Sequence, residues 1–225
     1  MNETLVNLRK ELHKHPELSG QEHTTAKRIV EFVKDYHPTN IIENIGGEGV
    51  AIIYEFGNNG ATVVIRCELD ALPILEENTF SHHSKNKGVS HKCGHDGHMA
   101  IVAGLSIWLK EAEFKNGKVV LLFQSAEETG KGAAKILADA KFTNLAPDYV
   151  FALHNLPGQK LHSIVVKPGY FTATVQSLCI QLKGKKAHAS EPENGVNPSL
   201  AVAELVQVFS SFANPNFESD DFSLL

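Results

Sequence analysis

The stretch CGHDGHMAIVAGLSIWLKEA, residues 93–112, joins a cluster of metal-seeking side chains to a run that is apolar on almost every side. One thiol, two imidazoles and a carboxylate (Cys93, His95, His98, Asp96) fall within six residues. Gly94 and Gly97 let the backbone approach closely without Cβ clashes. A cysteine and a histidine two apart can place sulfur and nitrogen on one ion. The apolar run behind them predicts a buried helix, so the cluster sits at a loop-to-helix junction with free backbone donors and a positive dipole end. Five histidines fall between His82 and His98, and a solvated loop residue is the competing reading of each.

Upstream, residues 2–15 carry Leu5, Val6, Leu8 and Leu12 at helical spacing up to Pro16, and residues 20–36 repeat the pattern with Ala26, Ile29, Val30 and Val33. His13 and His15, in the HKHPELSG turn between these two amphipathic helices, are expected on the surface. Three β-branched runs follow, 40–45, 50–56 and 62–69, separated by GGEG and GNNG, and they read as hairpins or neighbouring strands. The third, in TVVIRCELDALP, reads as a central strand whose end presents Glu68 and Asp70. A polar segment, 76–91, is expected to be flexible.

Downstream, KVVLLF (118–123) is a fully apolar strand running into QSAEETGKGAAKIL, which puts Glu127 and Glu128 at a strand end entering a helix. A strand at 149–153 delivers His154. Strands that alternate with helices and end in polar residues predict an α/β fold: a mixed, mainly parallel sheet flanked by helices, with ligands collecting at the carboxyl ends of the strands. The pattern then changes. A strand-like run at 170–182 leads into GKKAHASEPENGVNPS, and Asn197 and Pro198 make an N-cap and first residue for a helix to about Phe212. A domain boundary is expected near 167–169, separating 1–168, metal-binding, from 169–225.

Composition sets the outer limits. At 225 residues, 42% hydrophobic and 21% charged with a net charge of −5, the chain has material for a real core and no bias toward nucleic acid or an anionic membrane. Its N-terminus has no uninterrupted apolar segment, so the expectation is a cytoplasmic protein without a membrane anchor. Three widely spaced cysteines without a CxxC pair argue against a disulfide framework.

The strand ends together offer Asp70, Cys93, His95, Glu127, Glu128 and His154. Carboxylate, imidazole and thiolate in one place suit zinc and also admit manganese, cobalt or nickel. Two adjacent glutamates can divide the labour, one ligating while the other moves protons. Each residue alone has a plainer reading: Glu127 and Glu128 as first-turn acids, His154 as a strand-end histidine with a backbone partner, Asp70 as a turn residue, His98 as a polar cap. Glu68 can equally point to the opposite face. One shared site explains several such coincidences at once.

These segments resemble the M20 metallopeptidases, in the amidohydrolase branch that includes hippurate hydrolases, auxin-conjugate hydrolases and N-acetyl-diaminopimelate deacetylases. The matching motifs are LHKHPELSGQE (12–22), DALP (70–73), CGHDGH (93–98), SAEE (125–128), HNLP (154–157) and KKAHASEPENGVNP (185–198). The resemblance implies that Cys93, His95, Glu128 and His154 bind metal, two ions per site, with Cys93 bridging. It implies that Glu127 is the general base and acid and that Asp70 orients a ligand from behind. It also implies that 169–225 is the first part of an inserted α+β lid domain. His188, in the lid domain, is similar to the histidine that reaches a neighbouring subunit's site and steadies the oxyanion, which implies a homodimer through the lid. Its bland reading is a polar residue at a strand end.

The implied activity is hydrolysis of the amide bond of N-acyl amino acids by water that the metal activates. In two respects the chain departs from the branch: Glu68 stands where an aspartate is usual, and members are considerably longer, with one more histidine ligand in a later stretch. The alternative expectation is therefore a remnant that binds one ion or works only with a complementary chain. A purely structural zinc module leaves Glu127 without a task.

Overall fold

The central strands are apolar on both faces, and successive side chains of a strand point to opposite sides, so the sheet needs a packed layer on either side. In the computed structural model, which describes residues 3–57, 59–169, 172, 175, 178–216 and 223, five strands form one sheet in the order β1-β2-β4-β3-β5. They are β1 (Asn40–Ile45), β2 (Gly49–Glu55), β3 (Thr62–Glu68), β4 (Lys118–Gln124) and β5 (Tyr149–Ala152). Val50, Ile52, Tyr54, Cys67, Leu121 and Phe123 face one way, into a core shared with helices α1 (Glu3–Lys14), α2 (His23–Lys34) and α3 (His95–Leu109). Ala51, Ile53, Val64, Val120 and Leu122 face the other way, toward Ile136 of α4 (Gly132–Ala138) and Phe142 of the short α5 (Ala140–Thr143).

The sheet is mixed, as expected. β1 and β2 form an antiparallel hairpin, and β2 runs antiparallel to β4. β4, β3 and β5 are mutually parallel. β2 and β3 are consecutive but not neighbours, because β4 returns through α3 and inserts between them. The register pairs Glu68 with Gln124 and Arg66 with Ala152, so the three parallel strands end at one edge. That edge receives the segments carrying Asp70, Glu127, Glu128 and His154.

Two local expectations are corrected. Glu127 and Glu128 do not open a helix: they lie in a turn, residues 127–130, and α4 begins only at Gly132. The chain reverses there because Ala126 adopts a left-handed φ of 54° and Gly132 N–H donates to Ala126 O at 2.9 Å. The segment 76–91 has no regular element but is fastened at Glu76, whose carboxylate accepts from Lys92 Nζ (2.6 Å) and Ser84 N–H (2.6 Å).

The chain divides into two compact units, Met1–Leu161 and His162–Leu225. The second unit contains a bridge between Lys185 and Val196, a 3-10 turn at Pro192–Asn194 and α6 (Ser199–Ser210). Asn197 Oδ1 accepts from Ser199 N–H at 2.9 Å, which places the helix start one residue later than the sequence suggests. The strand-like run at 170–182 lies partly outside the described residues, and 178–182 carries no regular element. Among the described residues no helix is long and apolar enough to cross a membrane.

A Cβ on Gly132 falls onto the Ser125 carbonyl oxygen, a backbone atom that cannot give way. Gly132→Ala is therefore expected to cost about 3 kcal/mol of stability, the upper range for an overpacked site, read as a lower urea midpoint; an unchanged midpoint contradicts this account of the turn.

Candidate metal centre

Each of the three parallel strand ends hands its last residues to a different part of the site, and α3 supplies the fourth side from its first turn. Gly94 precedes that turn with φ 98° and stands so close to Asn155 that a Cβ there would collide with its side-chain amide. Glycine thus lets the Cys93–His95 segment and the His154–Asn155 segment meet.

Both outer imidazoles are locked by a backbone carbonyl. His95, 1% exposed, donates Nδ1–H to Asp70 O at 2.8 Å, and His154 donates Nδ1–H to Asn155 O at 2.8 Å. This fixes the tautomer in each ring and leaves both Nε2 lone pairs facing inward, the arrangement of metal-binding histidines. His154 Nε2 lies 3.3 Å from Cys93 Sγ. His95 Nε2 lies 3.8 Å from Glu128 Oε1 and 3.7 Å from Glu127 Oε2. His95 Nε2 and Glu128 Oε1 are buried without any hydrogen-bond partner. Groups so costly to bury unpaired, grouped as Cys93–His95–His154 and His95–Glu127–Glu128 with donor atoms within 4.8 Å of one another, fit a divalent cation.

The electrostatics agree. Burial pushes the Cys93 thiol up to about 12, and the nearby Glu128 and Glu127 charges add to the shift. Burial, reinforced by Glu127, also raises Glu128, although His95 works against it. Burial disfavours the His95 cation, but Asp70 and Glu68 outweigh it and raise the ring's pKa. The pocket is a field that favours positive charge, with a thiol that stays protonated until a cation arrives.

Asp70 is completely buried and grips the site twice. Its carbonyl holds His95, while its Oδ2 accepts from Glu128 N–H (3.0 Å) and Ser19 Oγ (2.6 Å). Burial tends to raise its pKa, but the His95 ring beside its carboxylate, Ser19 Oγ and the Glu128 amide prevail and hold it below the ordinary value. His188 belongs to the second unit, where its Nδ1 meets Ser190 Oγ at 2.7 Å.

Several residues that the sequence left in the background prove to be structural parts of the centre's surroundings. Glu68 points toward the constellation, receiving Nδ1–H of His98 at 2.9 Å and a bond from Arg66. Burial opposes its charge, but His98 and Arg66 prevail and lower its pKa. His98 also engages Asn155 through Nε2, so both its ring nitrogens are committed and it is no mere cap. His13 is not a surface residue: its ring bridges Asp96 (3.0 Å) and Glu76 (3.2 Å), tying α1 to α3 and to the 76–92 segment. Arg9, one turn earlier on α1, meets the same Asp96 carboxylate, and nothing in the sequence around His13 signals the pairing.

The chain belongs to the peptidase family M20/M25/M40, which it matches over residues 64–221. It is 33% identical to the N-acetyl-L-cysteine deacetylase of Bacillus subtilis strain 168, over 96% of this chain and 51% of that protein. To the hippurate hydrolase of Campylobacter jejuni it is 32% identical, over 97% of this chain and 56% of the relative. The crystal structure of the YXEP protein of Bacillus subtilis, a dinuclear metal-binding peptidase of the M20 family, is 36% identical and superposes with a TM-score of 0.62, covering 68% of this chain and 43% of that one. The chain thus spans about half the length of the curated relatives it matches.

Burial holds the Cys93 thiol up at about 12, so a cation ligated by its sulfur would displace the thiol proton. Zinc titration calorimetry at pH 7, repeated in buffers of different ionisation enthalpy, is expected to show release of about one proton or more per ion, with apparent affinity rising as pH rises toward the thiol's pKa. Binding without proton release contradicts the assignment of Cys93.

Proposed function

We propose that this chain carries the metal centre of an amidohydrolase that cleaves the amide bond of N-acyl amino acids. The observation that carries the reading is the pair of fixed tautomers: the Nε2 atoms of His95 and His154 converge with Cys93 Sγ and Glu128, and Glu127 stands beside them. Cys93, His95, Glu128 and His154 would hold the metal, zinc, manganese, cobalt or nickel, with two ions per site as the family resemblance implies. A divalent cation bound there supplies Lewis acidity toward an acyl oxygen and lowers the pKa of water.

The protein's own groups do the rest. Glu127 keeps its side chain 38% exposed, open to a substrate, with Oε2 facing the His95 ring. It takes the proton of the attacking water and returns it to the leaving nitrogen. Asp70 keeps His95 in the tautomer that leaves Nε2 bare and holds the backbone of Glu128. The family resemblance assigns His188 to the developing oxyanion, delivered in a homodimer. The deacetylase and the hippurate hydrolase among the relatives support small N-acyl amino acids as the substrate class.

One observation favours a second reading, in which activity requires further polypeptide. β5 has a single strand neighbour among the described residues, and its Tyr149, Val150 and Phe151 are each more than half exposed, an edge that soluble proteins usually cover. Metal binding without turnover by the 225-residue chain supports that reading over the first.

Glu127→Gln is expected to reduce hydrolysis of N-acetyl or N-benzoyl amino acids by about 10²–10⁴-fold, the contribution of a positioned general base, while metal stoichiometry stays unchanged. Turnover that survives the substitution removes Glu127 from the mechanism.

A further inference from the structure

Glu22 is a carboxylate wholly withdrawn from solvent, at 0% exposure, and no part of the reaction described above uses it. It sits at the N-cap of α2 yet makes no side-chain cap hydrogen bond there. The capping duty has passed to Glu17, whose carboxylate accepts from Thr24 N–H (3.2 Å), Thr25 N–H (2.7 Å) and Thr25 Oγ1 (2.8 Å). Freed from its own helix, Glu22 crosses to the end of β4. Its Oε1 accepts from Ala126 N–H at 2.8 Å and its Oε2 from Ser125 Oγ at 3.1 Å.

These two donors immediately precede Glu127 and Glu128. Ala126 carries a left-handed φ of 54°, a conformation that a residue with a Cβ adopts only when its surroundings impose it. The amide two residues on, Glu128 N–H, is held by Asp70. Alternate amides of one turn are therefore gripped by buried carboxylates from two distant segments. The segment around Glu17–Ser19 is itself docked beside the end of β3, through Ala71 N–H to Glu17 O (2.9 Å), the Leu18–Ala71 bridge and Ser19 Oγ to Asp70. Packing alone gives no reason for a charge in such a place, because an apolar side chain fills buried volume without the desolvation cost.

We propose that Glu22 is a positioning residue that fixes the 125–130 turn, so that Glu127 and Glu128 face His95; this rests on the metal-centre reading above. What matters is reach and hydrogen-bond acceptance at Ala126 N–H, not charge. Glutamine in place of Glu22 preserves both contacts, with its amide oxygen on Ala126 N–H and its NH₂ on Ser125 Oγ. Aspartate there keeps the charge but is one methylene too short.

The test compares the wild-type chain with Glu22→Gln and Glu22→Asp, both checked for folding by circular dichroism. Two readouts are used: Co²⁺ affinity followed by the visible absorption of the bound ion, and hydrogen exchange of the Ala126 and Glu128 amides. Glu22→Gln is expected to stay within about threefold of wild-type affinity, and Glu22→Asp to lose about 10–100-fold, the usual effect of removing a group that supports metal ligands. Equal affinity in wild type and Glu22→Asp, or an equal loss in both variants, overturns the proposal.

A wild-type chain that binds no Co²⁺ overturns the metal-centre reading instead. Glu22 is then judged on exchange alone: protection of both amides in wild type and Glu22→Gln but not in Glu22→Asp sustains its hold on the turn, and equal protection in all three overturns it.

Discussion

The centre depends on the double grip of Asp70. This one buried residue accepts the Nδ1 proton of His95 on its backbone carbonyl and the amide proton of Glu128 on its carboxylate. It thereby joins the end of β3, the first turn of α3 and the turn after β4, three places far apart in sequence. Parallel pairing of β3 with β4 and β5 puts those ends at one edge, but pairing sets positions only to within a residue's length. The hydrogen bonds at Asp70 set the orientation of one ring and one backbone, and so decide where lone pairs point.

That edge gathers an excess of negative charge. Glu68, Asp70, Glu127 and Glu128 stand around His95, and Cys93 adds a thiol that burial keeps protonated. Arg66 and His98 neutralise Glu68, and hydrogen bonds support Asp70. Glu128 Oε1 and His95 Nε2 have no hydrogen-bond partner among the described residues. Leaving donors and acceptors unmatched in a buried place is costly, and the mismatch is what a divalent cation resolves. Stability and function are therefore linked here: the groups that strain the metal-free centre are the groups proposed to work in it.

Much of this was legible in the sequence because periodicity and spacing report on faces. The β-branched and apolar runs located the five strands of the described sheet, the 3.6-residue pattern located α1 and α2, and the CGHDGH cluster located the start of α3. The polar residue at each strand end was legible for the same reason, since a hydrophobic run marks where it stops. What the sequence concealed was long-range pairing. Nothing local to His13 announces Asp96 eighty-three positions away, or to Glu22 the turn one hundred and four positions away. The turn at Glu127 imitates a helix start in sequence, since acids before an apolar run look like a first turn; the left-handed Ala126 and the crowding at Gly132 are tertiary facts. The insertion of β4 between β2 and β3 was hidden likewise, since hairpin signals say which strands are consecutive and not which are adjacent.

The most direct measurement is anomalous diffraction at the zinc edge from crystals of the zinc-loaded chain. The account predicts a peak within about 2.0–2.3 Å of at least three of Cys93 Sγ, His95 Nε2, His154 Nε2 and a Glu128 oxygen, the normal range for such ligands, with Nδ1 of both histidines still on their carbonyls. A peak elsewhere, or an ion held through Nδ1 of His95 with Asp70 released, contradicts it.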